Sequence, residues 1–397
     1  MRETTQLERV ENLLPRWRKL PIYQSLPATG KFSQFPLITK VDLRRDFPDN
    51  FLGLNGDLEA LQAQGVELEN TSGSSEERTA VLFPQGWWNR QETSVLRLNP
   101  YVASVLEAYP DARRATIVPP VCNGLVCFNN YTSKTMRTVG STLFVNQARI
   151  PFLNTEAEMA RMAAEVVEWA PQFLDLDPVH GMWLALYCER NGIKFPSVKF
   201  ILCSYEFVSV VHRRIIERVF DVPVYNFYGS TETGHLLMEN EHGEMKARFE
   251  NVHYEVINPD ERGVGDMVIT TLTNDLMPLV RYRIGDLVQT FSTQYLVHGR
   301  TRDALLRPDG KRVTTLDVDQ CFADVQGIAH YQLHQTTSGC QLQYIPDREA
   351  PSAQELNELA ARLQGLLRVS DTIPVETVSK LPPLPSGKFR LTSRDKS

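Results

Sequence analysis

VKFILCSYEFVSVVHRRIIERVFDVPVYNFYGSTETGH, residues 198–235, decides the fold class. Its opening, VKFILCS (198–204), is a near-continuous apolar run, the pattern of a strand buried on both faces. From Phe207 to Phe220, Val208, Val211, Ile215 and Val219 recur at helical spacing, and VPVYNFYG (222–229) is strand-like again. Strand, helix and strand in so short a stretch make a βαβ unit, which requires a parallel sheet. The stretch then runs into Ser230–Thr231–Glu232–Thr233–Gly234, beyond the carboxyl end of the second strand. Open α/β sheets bind their ligands there.

Upstream, Thr155 to Trp169 predicts another helix, with Met159, Met162, Val166 and Val167 on one face and a stop before Pro171. The chain opens with a helical pattern and turns irregular around Pro21, Pro27, Gly30 and Pro36. Downstream the character changes. AHYQLHQ (329–335) and CQLQYI (340–345) flank a turn at Gly339 and read as a hairpin. Ser352 and Glu355 form a capping box for a helix to about Leu367, with Leu356, Leu359, Leu363 and Leu366 as its apolar face. A short strand, IPVETV, and a Pro/Gly-rich tail follow. The expected organisation is a large α/β N-terminal domain with a parallel sheet (1–298) and a small, mobile α+β C-terminal lid domain (299–397).

Composition bounds the function. The 397 residues carry 42 Lys+Arg against 48 Asp+Glu, a net charge of −6, so no broad phosphate-tracking surface is expected and nucleic acid is excluded as a general partner. No apolar run is long enough to span a bilayer, and MRETTQLERVENLLPRW has no apolar signal-peptide core, so no membrane partner is expected. The six cysteines include no Cys-x-x-Cys pair, which predicts free thiols and a cytoplasmic location.

Four segments carry candidate chemistry. Thr71–Ser72–Gly73–Ser74–Ser75 opens a hydroxyl-rich turn whose amides and hydroxyls suit phosphate oxygens, although a Ser/Gly loop alone is usually an ordinary turn. In the second, Tyr228 can stack on a base and Gly229 permits close backbone approach. Beside them Ser230 and Thr231 offer hydroxyls and Glu232 can hold Mg²⁺. The third, VRYRIGDLV (280–288), offers Asp286 as an acceptor for two sugar hydroxyls. The fourth, LPPLPSGKFR (381–390), presents Lys388 on a Pro/Gly-rich loop, where a lysine is ordinarily a solvated charge.

Taken in order, these segments resemble the adenylate-forming superfamily of acyl- and aryl-CoA ligases and peptide-synthetase adenylation domains. Thr71–Ser75 is similar to its phosphate loop, and Tyr228–Gly229–Ser230–Thr231–Glu232 to its Tyr-Gly-x-Thr-Glu signature. Tyr282–Arg283–Ile284–Gly285–Asp286 resembles its Tyr-Arg-x-Gly-Asp signature, and Gly299–Arg300–Thr301–Arg302–Asp303 its hinge motif. Pro385–Ser386–Gly387–Lys388–Phe389–Arg390 is similar to its catalytic-lysine motif. FPLITKVDLRRDFP (35–48) looks most like the phenylacetate–CoA ligase branch.

The resemblance implies that a small carboxylic acid and ATP give an acyl-adenylate and pyrophosphate, followed by transfer to a thiol. It implies Lys388, Thr231 and Glu232 in catalysis, Mg²⁺ on Glu232, and Asp286 and Arg300 on the ribose. Tyr205 and Glu206 would line the adenine, and Arg302 would be the hinge. Four places depart from the pattern, one of them mildly: Arg302 stands where Asp or Lys is usual. Glu76 stands where the phosphate loop usually has glycine, Arg78 where proline is common, and Ser204–Tyr205–Glu206 where Gly-Ala-Glu is usual. The acid pocket is expected at Tyr205, Asn226 and Phe227 with Cys122, Asn123 and Gly124, a mix of aromatic and small residues that suits a flat aryl acid. Coenzyme A is the implied acceptor. A carrier-protein thiol or an amine would use the same first half-reaction, and a non-catalytic nucleotide-binding relative is the rival reading from another class.

Overall fold

The computed structural model describes residues 3–24, 31–53, 56–71, 78–120, 132–148, 150–292 and 294–395. The chain divides into two compact units, one of residues 1–103 and 228–296, the other of residues 104–227 and 297–397.

The second unit holds the parallel sheet. Phe173–Leu176 pairs in parallel with Arg114–Ile117 on one side and with Phe200–Cys203 on the other. Thr142–Phe144 extends the sheet beyond Arg114–Ile117, and Val224 to Asn226 pair in parallel with Ile201 to Cys203. All four residues of Phe173–Leu176 and of Phe200–Cys203 are buried, as an apolar run covered on both faces requires. Three helices cover this sheet's core. Glu156–Trp169 starts on a Thr155 cap and ends at Ala170, whose φ of 47° is left-handed. Pro178–Arg190 starts on Asp177 with proline at the first position. Val210–Phe220 starts three residues later than the periodicity predicts, because the Ser209 hydroxyl caps the Val211 amide and sets the first turn there.

The last hundred residues form a four-stranded mixed sheet in the order Val375–Thr377, Gly339–Pro346, Ile328–Thr336, Thr392–Arg394. The predicted hairpin is its centre, with Leu333 opposite Leu342. Ala353–Leu367 begins on the Ser352/Glu355 capping box and buries Leu359, Leu363 and Leu367 in the core of this sheet. That core also takes Val211 from helix Val210–Phe220, while Ile215, Ile216 and Val219 of the same helix enter the core of the parallel sheet. One helix thus has two buried faces. At its start the Val210 amide donates to Asp319 Oδ2 (2.9 Å), and Asp319 Oδ1 accepts from the Ser209 and Tyr331 hydroxyls. Farther along, His212 Nε2 meets His330 Nδ1 at 2.9 Å, with both rings buried.

The first unit is built on antiparallel strands in the order Val252–Ile257, Gly265–Thr271, Tyr282–Phe291, the start of Gln294–Arg300 (Gln294 to Leu296), Met245–Ala247, Gly234–Glu239. It also contains a separate hairpin, Glu67–Asn70 paired with Ala80–Phe83. Among the described residues no helix is long and apolar enough to cross a membrane, and Cys188, Cys203, Cys321 and Cys340 are free thiols. Cys122 and Cys127 lie outside the described residues.

Candidate active site

In the first unit the two tyrosine-headed motifs are bonded to each other. The Tyr228 hydroxyl donates to Asp286 Oδ2 at 2.5 Å, and the Tyr282 hydroxyl donates to Glu232 Oε1 at 3.1 Å. Each motif therefore supplies a phenol to the other's carboxylate. The sequence makes this exchange possible at two glycines. Gly229 passes so close to the neighbouring backbone that a Cβ would lie 2.5 Å from Gly234 O and 2.7 Å from His235 Cα. Gly285 has φ +94°, and the strand bulges beside it: Val268 opposes Arg283, but Asp266 opposes Leu287. Bulges re-aim side chains, and this one carries Asp286.

Glu232 is 2% exposed, and its charge is met by Lys40 Nζ at 2.7 Å. Burial alone would push this carboxyl up. The charge and hydrogen bond of Lys40 outweigh it and hold the group below the ordinary glutamate value. Lys40 starts the short helix Lys40–Arg44 behind a Thr39/Asp42 capping box. The chain ahead of it is fixed along the strand of Tyr282, by Ile38 N to Arg281 O (3.1 Å) and Arg283 N to Ile38 O (2.8 Å). Lys40 lies within the FPLITKVDLRRDFP stretch (35–48), where nothing local to it signals a partner for Glu232.

In sequence the candidate phosphate loop lies between the paired strands Glu67–Asn70 and Ala80–Phe83. Its base is clasped by Thr71 N to Thr79 O (3.0 Å) and by Thr79 N to Thr71 Oγ1 (2.9 Å). Ser72, Gly73, Ser74, Ser75 and Glu76 lie outside the described residues, as do Cys122, Asn123 and Gly124 of the expected acid pocket. Thr231 is half-buried in the turn that follows Ser230.

The second unit brings Lys388 to Tyr205 and Glu206. Lys388 Nζ donates to the Tyr205 carbonyl and the Phe389 amide donates to Glu206 Oε1, each at 2.7 Å. A tail lysine thus reaches back 183 residues to the carboxyl end of strand Phe200–Cys203. Asp177 is fully buried beside them. Its Oδ1 accepts from the Val179 and His180 amides at 3.0 and 3.1 Å. Burial pushes the Asp177 carboxyl up to about 6. Burial, then the charge of Asp177, raises Glu206 well above the ordinary range, while Lys388 and Arg300 pull the other way. Asp177 caps helix Pro178–Arg190, a local role that carries no sequence signal for the site.

Asn226 continues the parallel sheet opposite Cys203, and Phe227 is buried next to it. In the hinge motif Arg302 is exposed, 3.7 Å from Asp303, and Asp303 also meets Arg390 of the tail at 3.1 Å.

An ion on Glu232 fits only under a condition. Among the described residues no group of three or more His, Cys, Asp or Glu side chains could hold a metal. A single carboxylate suits Mg²⁺ when phosphate oxygens and water complete the shell.

Comparison with known proteins identifies the class of fold. The chain aligns with 2-hydroxyisobutyryl-CoA ligase in the postadenylation state in complex with R3-HIB-AMP at TM-score 0.71 and 17% identity, over 100% of this chain and 90% of that one. It aligns with the anthranilate CoA ligase AuaEII in complex with anthranoyl-AMP at TM-score 0.57 and 13% identity, over 81% of this chain and 65% of that one. The chain has the fold of the adenylate-forming acyl- and aryl-CoA ligases. In sequence it is 24% identical over 221 residues to Protein CapK of Staphylococcus aureus, covering 52% of this chain and 49% of CapK. The match thus spans about half the length of that curated relative. No family model matches the chain.

Proposed function

We propose that this chain is an AMP-forming acid–thiol ligase that activates a small carboxylic acid with ATP and transfers the acyl group to coenzyme A. The observation that carries this reading is the reach of Lys388 back to the Tyr205–Glu206 turn. An idle tail lysine would be solvated; this one is part-buried on the edge of a parallel sheet where such folds bind ligands.

In the first half-reaction the acid's carboxylate oxygen attacks the α-phosphorus of ATP and the bond to pyrophosphate breaks. Two anions must approach, so the barrier is largely charge repulsion. The Lys388 ammonium neutralises charge that grows on the phosphoryl oxygens, and Thr231 orients the α-phosphate. Asp286 and Arg300 take the ribose hydroxyls, and Tyr228, tied to Asp286, offers its ring to the base. Glu232 would hold Mg²⁺ shared with the phosphates, and the ion would supply further charge neutralisation there. In the second half-reaction a thiolate attacks the acyl carbonyl and AMP leaves.

The lid of this mechanism is residues 299–397, moving about Arg302. The acid is proposed to be aryl, on the strength of Phe227, Asn226 and Tyr205 near the sheet's edge and of the small residues Cys122, Asn123 and Gly124 in the sequence. Product analysis tests the reading: incubation with ATP, Mg²⁺, coenzyme A and aryl acids should yield AMP and an acyl-CoA thioester in equal amounts. AMP formation without any thioester would remove coenzyme A as acceptor, and absence of both would remove the ligase.

A further inference from the structure

The turn that receives Lys388 is built more elaborately than the lining of a nucleotide pocket needs. The Glu206 amide donates to Ser204 O at 2.8 Å, closing a γ-turn around Tyr205, whose φ is +72°. That hand of γ-turn is rare, and a non-glycine residue in it stores about 1–3 kcal/mol. Asp175 holds the turn from below. Its Oδ1 accepts from Ser204 Oγ at 2.8 Å and its Oδ2 from the Tyr205 hydroxyl at 3.5 Å, with Arg114 at 3.7 Å.

Two consecutive residues of the turn then grip two consecutive residues of the tail, Tyr205 O with Lys388 Nζ and Glu206 Oε1 with Phe389 N. The tail is itself looped, through Leu384 N to Lys388 O (2.7 Å) and Gly387 N to Leu384 O (2.8 Å). The Phe389 ring locks in among Phe152 (5.1 Å), His330 (5.4 Å) and His180 (6.5 Å). A backbone amide held at residue 389 sets how far the side chain of residue 388 reaches. Asp177 is immobilised by two helix-start amides and interacts with the Glu206 carboxyl.

From this geometry we infer that Glu206 is a positioning residue for Lys388: its carboxyl fixes the Phe389 amide and thereby the reach of the Lys388 ammonium. The role in catalysis rests on the ligase reading; the grip on the tail does not.

The experiment therefore has two arms. Hydrogen exchange of the Phe389 amide is measured on the full chain without ligand. Glu206→Ala should speed it by about 10–100-fold, because a part-buried amide is left without its acceptor. Glu206→Gln, which keeps an accepting oxygen, should stay near wild type. Glu206→Asp keeps a carboxyl but loses the reach, so it should loosen the amide as Glu206→Ala does, and it keeps the test alive if the alanine variant fails to fold. In the second arm, acid-dependent adenylation by Glu206→Ala should lose kcat by about 10–100-fold with ATP affinity within about threefold, and Glu206→Gln should restore most of it. Unchanged exchange in a folded Glu206→Ala or Glu206→Asp overturns the inference. So does lost ATP affinity at unchanged kcat, which would make Glu206 a nucleotide contact. Wild-type protein without adenylation refutes the ligase reading alone, and the exchange arm still decides the grip.

Discussion

Replacing Lys40 by methionine isolates the least expected contact of the site. Glu232 is 2% exposed, and its carboxylate is met by Lys40 Nζ at 2.7 Å and by the Tyr282 hydroxyl at 3.1 Å. Removing one partner of a fully buried ion pair costs about 3–5 kcal/mol, because the other charge is left without compensation. The Lys40 side chain is 43% exposed, so water screens part of the interaction and the expected cost is about 1–3 kcal/mol. The pH dependence follows from the sign. With Lys40 present the Glu232 carboxyl is held low, so its contribution to stability is present above its ordinary value and lost as pH falls. With Lys40 gone, burial alone raises the carboxyl. The deficit of Lys40→Met should then be largest near neutral pH and shrink toward pH ~4. Urea unfolding at the two pH values reads this directly. The double variant Lys40→Met/Glu232→Gln should recover most of the loss, since no buried charge remains and an amide oxygen still accepts from Tyr282. A single variant as stable as wild type at neutral pH, or a double variant no better than the single, refutes the reasoning.

Other perturbations test neighbouring parts of the account. Asp177→Asn keeps the helix cap and removes a carboxyl raised from 3.8 to about 6. A raised carboxyl stabilises fully below its unfolded value and loses that contribution as pH rises, so the variant should gain about 3 kcal/mol on wild type between pH ~4 and ~8. A difference in urea stability that does not change with pH would contradict the assignment. Gly229→Ala drives a Cβ to 2.5 Å from Gly234 O, and the forced backbone shift should cost about 1–3 kcal/mol of stability. A normal melting profile would mean that the turn yields freely. Asp286→Ala removes the partner of Tyr228 and should weaken ATP binding by about tenfold in calorimetry; unchanged affinity would end its ribose role.

What the sequence disclosed was what local periodicity carries. The run at Phe200–Cys203, the capping box at Ser352 and the hairpin across Gly339 are each specified within a few residues, and each stands in the structure. The helix expected from Phe207 begins at Val210 because one serine hydroxyl, not the apolar spacing, sets its first turn. Lys40 and Asp177 were invisible for a different reason. A lysine behind a Thr39 cap and an aspartate before a proline have complete local explanations, and only tertiary packing brings them to Glu232 and Glu206. The grouping of the last hundred residues with 104–227 was equally hidden. It depends on helix Val210–Phe220 burying Val211 in one core and Ile215 in another, whereas periodicity reads those positions as a single face.

The central claim is that this chain adenylates an acid with the help of Lys388. Acid-dependent ATP–pyrophosphate exchange tests it without any assumption about the acceptor. The panel is benzoic, hydroxybenzoic, aminobenzoic, phenylacetic and fatty acids, run with wild type and with Lys388→Ala. The account predicts exchange that depends on an aryl acid and falls by about 10² or more in the variant, while ATP binding is retained. ATP binding with no exchange for any acid, or exchange indifferent to Lys388→Ala, would contradict it.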